Sequence, residues 1–355
     1  MEKTDKIYVA GHKGLVGSAI WQALTNQGFT NLIGKTHSEL DLLDSVAVRD
    51  FFEDEKPDCV ILAAANVGGI MANFTYRADF IYNNLQIQLN VIGESFRQNV
   101  KKLLFLGSTC IYPRDAAQPM REDSLLASPL EYTNEPYAIA KIAGLKMCES
   151  FNIQYGTNFI AVMPTNLYGP NDNFDLEKSH VLPAMLRKIH LAKCLYTNDW
   201  QSIREDLNKR PIESVSGEAS EDEIISLLVK HGITSNSVTL WGTGAPMREF
   251  LWSEELADAC VYIMRNVDFK DLKGLGKEVR NCHINIGTGK ETSIKDLSGV
   301  ITKTVGYKGD IIFDTSKPDG TMRKLTDVSK LHALGWRHKI EIDEGVGKIY
   351  QWYNK

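Results

Sequence analysis

Tyr137-Ala138-Ile139-Ala140-Lys141 sets a phenol and an ammonium four positions apart. On a helix these two lie on one face. A cation there lowers the phenol pKa of Tyr137, and a tuned phenol donates a proton to a carbonyl oxygen as hydride reaches the carbon. Asn134 and Pro136, just upstream, suit a helix start. Ser108, in Gly107-Ser108-Thr109, is the expected third member, hydrogen-bonding the same oxygen. Read by itself, it is a strand-end hydroxyl satisfying backbone.

A second constellation lies near the start. Gly11-His12-Lys13-Gly14-Leu15-Val16-Gly17 follows a strand-like run and opens a helix-like one. In that context Gly11 makes a tight turn, Gly14 lets the backbone approach a pyrophosphate, and Gly17 lets helix and sheet pack closely. The helix N-terminus adds unpaired N–H groups and a positive dipole end. Without a nucleotide, the same residues are a glycine-rich turn. The next strand ends Ile33-Gly34-Lys35-Thr36-His37, basic where an NAD site is acidic. Lys13 and Lys35 fit a ribose 2′-phosphate, so NADP is expected; as surface residues they are simply solvated. Asp41 and Leu42 are expected beside the adenine.

These residues need elements to hold them. Lys6–Ala10, Asn31–Ile33, Cys59–Ala65, Leu103–Gly107 and Phe159–Met163 read as strands, the longer ones apolar throughout. Helical patterns at 15–27, about 45–54, 78–98 and 135–155 separate them. Alternation of this kind predicts right-handed crossovers and a parallel sheet. The expected fold is α/β: a Rossmann-type doubly wound sheet over 1–170, rejoined by part of 240–290, with a smaller mixed α/β substrate domain over 171–355. The stretch 195–237, with eight acidic and four basic side chains, reads as an insertion. Its Glu218–His231 part looks like an amphipathic helix, and the stretch is taken as a surface excursion rather than a flap.

Composition narrows the function. The 355 residues are 43% hydrophobic and 24% charged, an ordinary globular balance. A net charge of −5 argues against sequence-independent nucleic-acid binding. No apolar stretch is long enough to span a membrane. The six cysteines have no metal-ligand spacing, so no metal site is expected. A cytoplasmic protein is expected, as no signal-peptide pattern opens the chain.

The motifs together resemble the short-chain dehydrogenase/reductase superfamily in its extended form, which acts on nucleotide sugars. Ser108-Thr109-Cys110-Ile111-Tyr112-Pro113, Asn134-Glu135-Pro136-Tyr137, Met163-Pro164-Thr165-Asn166-Leu167-Tyr168-Gly169-Pro170, Pro246-Met247-Arg248-Glu249-Phe250 and Lys317-Pro318-Asp319-Gly320 are similar to those of its GDP-sugar epimerase–reductases. The resemblance implies conversion of GDP-4-keto-6-deoxy-D-mannose to GDP-L-fucose, by epimerisation at C-3 and C-5 and reduction of the C-4 ketone with NADPH. It implies Ser108, Tyr137 and Lys141 at the ketone, Cys110 as base and His180 as acid. From residue type alone, Cys110 is a buried thiol and His180 a helix-start histidine. It further implies Lys188, Trp241, Arg248 and Asp319 on the nucleotide sugar, although Asp319 alone reads as a turn residue. The cofactor set becomes the loop from Gly11 to Gly17 with Lys35, Asp41, Leu42, Leu106, Gly107, Ser108, Lys141, Pro164, Asn166, Leu167 and His180. A homodimer through the helices near 78–98 and 135–155 is implied too. A 4,6-dehydratase would want an acid pair where Cys110-Ile111 stands. A simple 4-epimerase would hold NAD, against the basic Lys13 and Lys35. A non-catalytic NADP binder would not need the full set of reactive side chains.

Overall fold

The computed structural model describes residues 1–274 and 278–355, without the side chains of Ile70 and Met71. Two compact units divide the chain. Residues 1–171, 249–290 and 325–340 form the first; 172–248, 291–324 and 341–355 form the second.

Six parallel strands cross the first unit in the order Ile284–Ile286, Phe159–Pro164, Lys102–Leu106, Cys59–Leu62, Ile7–Ala10 and Leu32–Ile33. Every residue of the runs from Ile7, Cys59, Lys102 and Phe159 is buried, as in a sheet covered on both faces. Alternation along Ile7–Ala10 feeds two cores. Ile7 and Val9 join Ile20, Leu24 and Leu256, whereas Tyr8 and Ala10 join Val91, Ile92 and Leu145. Helices Leu15–Asn26 and Ser253–Asn266 pack together in the first core, Arg77–Arg97 and Glu135–Tyr155 in the second. The order reverses between Ile7–Ala10 and Cys59–Leu62, the switch point at which doubly wound sheets bind ligands.

Local chemistry sets the ends. Asp44 caps Ser45–Glu55 by accepting from Val46 and Ala47. Gly156, at φ +70°, ends Glu135–Tyr155. The strand expected to run to Ala65 stops at Leu62. The buried side chain of Asn84 exchanges hydrogen bonds with the Asn66 backbone at 3.0 and 2.9 Å, replacing sheet partners.

The second unit pairs Ser237–Trp241 in parallel with Asp310–Asp314. A three-stranded sheet sets Met247–Arg248 between Thr292–Ser293 and Arg323–Lys324. Helix Val181–Tyr196 packs on Ile294–Val305, which packs on Ile342–Tyr353. The surface-excursion reading of 195–237 is corrected. Asp199 and Ser220 cap helices Trp200–Lys209 and Glu221–Lys230, and Ile203, Leu207, Ile224 and Leu228 are fully buried. Arg187, 1% exposed, pairs with Asp206 of that stretch at 2.9 Å. The acidic run Glu221-Asp222-Glu223 complements the positive end of its helix. Among the described residues, no helix is long and apolar enough to cross a membrane.

Candidate active site

The glycine loop sits at the switch point. Gly11 has φ +87°, and a methyl there would lie 2.8 Å from the Ala64 nitrogen. At Gly17 it would meet the Gly11 carbonyl oxygen at 2.0 Å. At Gly14 it would only touch that oxygen at 3.6 Å, so the chain itself has room there. Helix Leu15–Asn26 begins with no side-chain cap and no acid in its first turn, leaving its N–H groups for an anion. That arrangement fits a dinucleotide pyrophosphate.

His12 fills the space beside Gly34, where a methyl would come within 2.5 Å of its ring, and stands 5.4 Å from the Trp21 ring. Desolvation and neighbouring Lys13 lower its pKa. Glu39, the acid near Lys13 and Lys35, accepts from the Thr36 nitrogen and hydroxyl at 2.7 and 2.6 Å. Those bonds, then the two lysines, hold its pKa below the usual range. Asp41 accepts from the Leu43 nitrogen at 2.9 Å, and Leu42 packs on the core.

At the end of Lys102–Leu106, Ser108 Oγ accepts from the Cys110 nitrogen at 3.2 Å, capping the turn Thr109–Ile111. Tyr137 and Lys141 lie on helix Glu135–Tyr155 as expected. Lys141 is 3% exposed and donates from Nζ to the Leu106 carbonyl at 2.7 Å. Desolvation pulls its pKa down to about 7. The expected lowering of Tyr137 is reversed. Desolvation and then Cys110 push the phenol up, against a hydrogen bond from Ser108. Lys141 Nζ is 5.7 Å from the phenol ring centroid, and its charge is itself destabilised by burial. A raised phenol stays protonated. Gly107 leaves room for Met163, whose methyl would lie 2.4 Å from an added Cβ. Pro164 ends its strand, and Asn166 Nδ2 donates to the Glu249 carbonyl at 2.8 Å. Leu167 pairs in register with Leu251.

The second unit holds the other expected residues. His180 is exposed and opens helix Val181–Tyr196 without a cap bond. Surrounding protein desolvates its ring and lowers its pKa. Lys188 donates to the carbonyls of His231 and Thr239 at 2.8 and 3.5 Å. Trp241, 64% exposed, ends its strand. Arg248 donates to the Met247 carbonyl at 2.7 Å; desolvation lowers its pKa against the opposing pull of Asp319. Asp319 accepts from the Thr243 nitrogen and hydroxyl at 2.9 and 2.7 Å. Gly242, at φ +83°, has no room for a side chain beside that carboxylate.

Two residues escaped the motif reading. Glu249 is fully buried. Its carboxylate accepts from the nitrogens of Thr288, Gly289 and Thr326 at 2.6, 2.7 and 2.9 Å. Asp175 accepts from Glu177 and Lys178 nitrogens at 2.9 and 2.8 Å, shaping the turn before His180. The Arg-Glu-Phe run and the Asn-Phe-Asp turn were the available signals, but neither names its partners.

The chain belongs to the NAD dependent epimerase/dehydratase family, whose model matches residues 7–207 and 212–287. Within that family it is 50% identical to the putative GDP-L-fucose synthase 2 of Arabidopsis thaliana, over 99% of this chain and 93% of the relative. It is 47% identical to GDP-L-fucose synthase of Escherichia coli K12, over 98% and 96%. A solved GDP-D-glycero-L-gluco-heptose synthase from Campylobacter jejuni, determined in the presence of NADPH, matches with a TM-score of 0.92, 47% identity and 100% of both chains.

Proposed function

We propose that this chain is an NADPH-dependent enzyme that epimerises GDP-4-keto-6-deoxy-D-mannose at C-3 and C-5 and reduces its C-4 ketone, giving GDP-L-fucose. The full-length identity to GDP-L-fucose synthases supports the substrate and product. One observation carries the two-part chemistry. Cys110 follows Ser108 in the same turn, and its Sγ lies 3.4 Å from the Asn134 amide at the start of the helix that carries Tyr137. A reductase needs the hydroxyls alone; a thiol among them serves proton abstraction.

The glycine loop holds the dinucleotide pyrophosphate, Lys13 and Lys35 its 2′-phosphate, and Lys141 its nicotinamide ribose. Asp41 and Leu42 flank the adenine. Leu106, Gly107, Pro164, Asn166 and Leu167 line the nicotinamide side. When bound, NADPH supplies a hydride to C-4. Ser108 and Tyr137 hydrogen-bond the C-4 oxygen and stabilise the enolate formed when a neighbouring carbon loses its proton. Cys110 takes that proton as thiolate, and His180 returns one to the opposite face. After both inversions, Tyr137 gives its proton to the C-4 oxygen as hydride arrives. Arg248 forks onto the diphosphate and Trp241 gives the nucleotide an apolar wall. Asp319 and Lys188 steady the strands that carry them.

A second copy of the chain completes the assembly. Tyr82 and Leu89, on helix Arg77–Arg97, are 66% and 52% exposed, and Ile153 and Tyr155, on the helix packed beside it, 55% and 54%. An apolar face of this kind marks an association site. Six cysteines without a disulfide suit the cytoplasm.

The test supplies the keto sugar nucleotide with NADPH in deuterated water. The expected result is NADPH oxidation with deuterium at C-3 and C-5. No oxidation by folded protein overturns the reductase assignment. A second reading, reduction of a GDP-4-keto-heptose, is favoured by 48% identity, over 99% of this chain, to a solved GDP-6-OMe-4-keto-L-xylo-heptose reductase from Campylobacter jejuni. Faster turnover of that substrate in the same assay would select it.

A further inference from the structure

We infer that Asn134 is a positioning residue that holds Cys110 as its thiolate, by donating a side-chain N–H to the sulfur. The inference deepens the base assignment of Cys110 and rests on it for its catalytic meaning.

Asn134 stands at the N-cap of helix Glu135–Tyr155. Asparagine there ordinarily accepts from the first-turn N–H groups, a favourable contact. This side chain makes no such cap bond. Its Nδ2 instead lies 3.4 Å from Cys110 Sγ, and its Oδ1 is buried without a partner. A side chain that gives up its cap and leaves its carbonyl unpaired must be held in place by its neighbours.

Glu131 is the holder. Its carboxylate accepts from the Thr133 nitrogen at 3.1 Å, the Asn134 nitrogen at 3.2 Å and the Thr133 hydroxyl at 2.5 Å. Arg77 fixes the same turn by donating to the Tyr132 carbonyl at 2.7 Å. On the other side, Ser108 anchors the Cys110 backbone at 3.2 Å. The amide and the sulfur are thus set against each other from two separate segments.

The chemistry has a direction. An N–H donor favours the charged thiolate, which is the form that abstracts a proton. The same helix start adds its positive end. Of the titratable groups near the sulfur, Tyr137 stands on the helix that Asn134 opens, with the Lys141 ammonium 5.7 Å from its ring centroid. The Glu131 carboxylate is engaged by the Thr133 and Asn134 groups. An Oδ1 set against the sulfur would favour the thiol instead, so the sign of the pH shift reads the orientation of the amide.

The measurement is iodoacetamide alkylation of Cys110 against pH on the full chain, followed by mass spectrometry. Cys59, Cys148, Cys194, Cys260 and Cys282 are all buried, and Cys110 is the partly exposed one. Asn134→Asp exchanges the donor for an acceptor at nearly constant shape. It is expected to move the midpoint of the profile up by roughly one pH unit, and Asn134→Ala by less. Asn134→Ser, which restores a donor, should return part of the shift; a merely structural role would not give this order. Deuterium uptake by the keto sugar at pH 7 should fall roughly tenfold in Asn134→Asp, more than the rate of NADPH oxidation on already epimerised keto sugar. Midpoints unchanged in folded Asn134→Asp and Asn134→Ala overturn the inference, even if Cys110→Ser abolishes deuterium uptake. Shifted midpoints with normal uptake in Cys110→Ser overturn the base assignment and leave the Asn134–Cys110 coupling standing.

Discussion

The groups proposed to react, in the first unit, and those proposed for the nucleotide sugar, in the second, are held in different ways. Ser108, Cys110, Tyr137 and Lys141 come from one strand end with its turn and one helix. Lys141 gives one donor to Leu106 and retains others. In the second unit, Lys188, Arg248 and Asp319 are engaged with their own chain, through the carbonyls of His231 and Met247 and the Thr243 nitrogen. The comparison teaches that a short motif can set the groups proposed to react close together, whereas groups drawn from distant segments are fixed by the chain around each of them.

The largest test of that contrast is Tyr137→Phe. Loss of the proton donor should lower NADPH-dependent ketone reduction roughly 10²–10⁴-fold, with little change in the KM for the nucleotide sugar. Reduction at the parent rate would remove Tyr137 from the chemistry. Next in size is Glu249→Gln, which turns an amide N–H toward backbone donors. Urea unfolding should show a loss of about 2–4 kcal/mol; an unchanged midpoint would mean that the Glu249 contacts contribute nothing net.

Asp172 sharpens the comparison through pH. Burial pushes its carboxyl up to about 7, against a hydrogen bond from Asn173. The folded chain then holds a proton between about pH 4 and 7 that the unfolded chain releases, so stability falls as pH rises through that window. Asp172→Asn should therefore be more stable than the parent at pH 8, by about 1–2 kcal/mol, with the difference vanishing below pH 4. A constant difference across pH would show another origin. The smallest effect is expected from Asp319→Ala. Releasing the Thr243 turn should raise KM for the nucleotide sugar about tenfold, the equivalent of one hydrogen bond, with kcat within threefold. A fall in kcat alone would assign Asp319 to the chemistry instead.

Legibility in the sequence followed distance along the chain. The glycine loop and Tyr137 with Lys141 could be read because each spans a few residues with a fixed geometric meaning. Asn134 was read as a helix start, but its amide turns to a sulfur 24 positions away. Glu249 was hidden because its partners are 39, 40 and 77 positions off. The reversed shift of Tyr137 depends on desolvation, which a four-residue spacing does not encode. The packing of 195–237 was misjudged, although Glu218–His231 was read as an amphipathic helix, because many polar groups obscured buried positions such as Ile203, Leu207, Ile224 and Leu228.

The Glu249 carboxylate also orders events in time. Within the first unit it ties the 249–290 segment to Thr326, and the sheet takes its edge strand from Ile284–Ile286. Residues 1–171 leave the ribosome first and carry the whole of the core built on Tyr8 and Val91, yet the core built on Ile7 and Leu256 stays open until Trp336 has been made. At the usual 5–20 residues per second, that wait lasts about 8–30 seconds. Until Ile284–Ile286 has been made, Phe159–Pro164 has only Lys102–Leu106 as a parallel neighbour, and a nascent chain with an open sheet edge calls for chaperone cover.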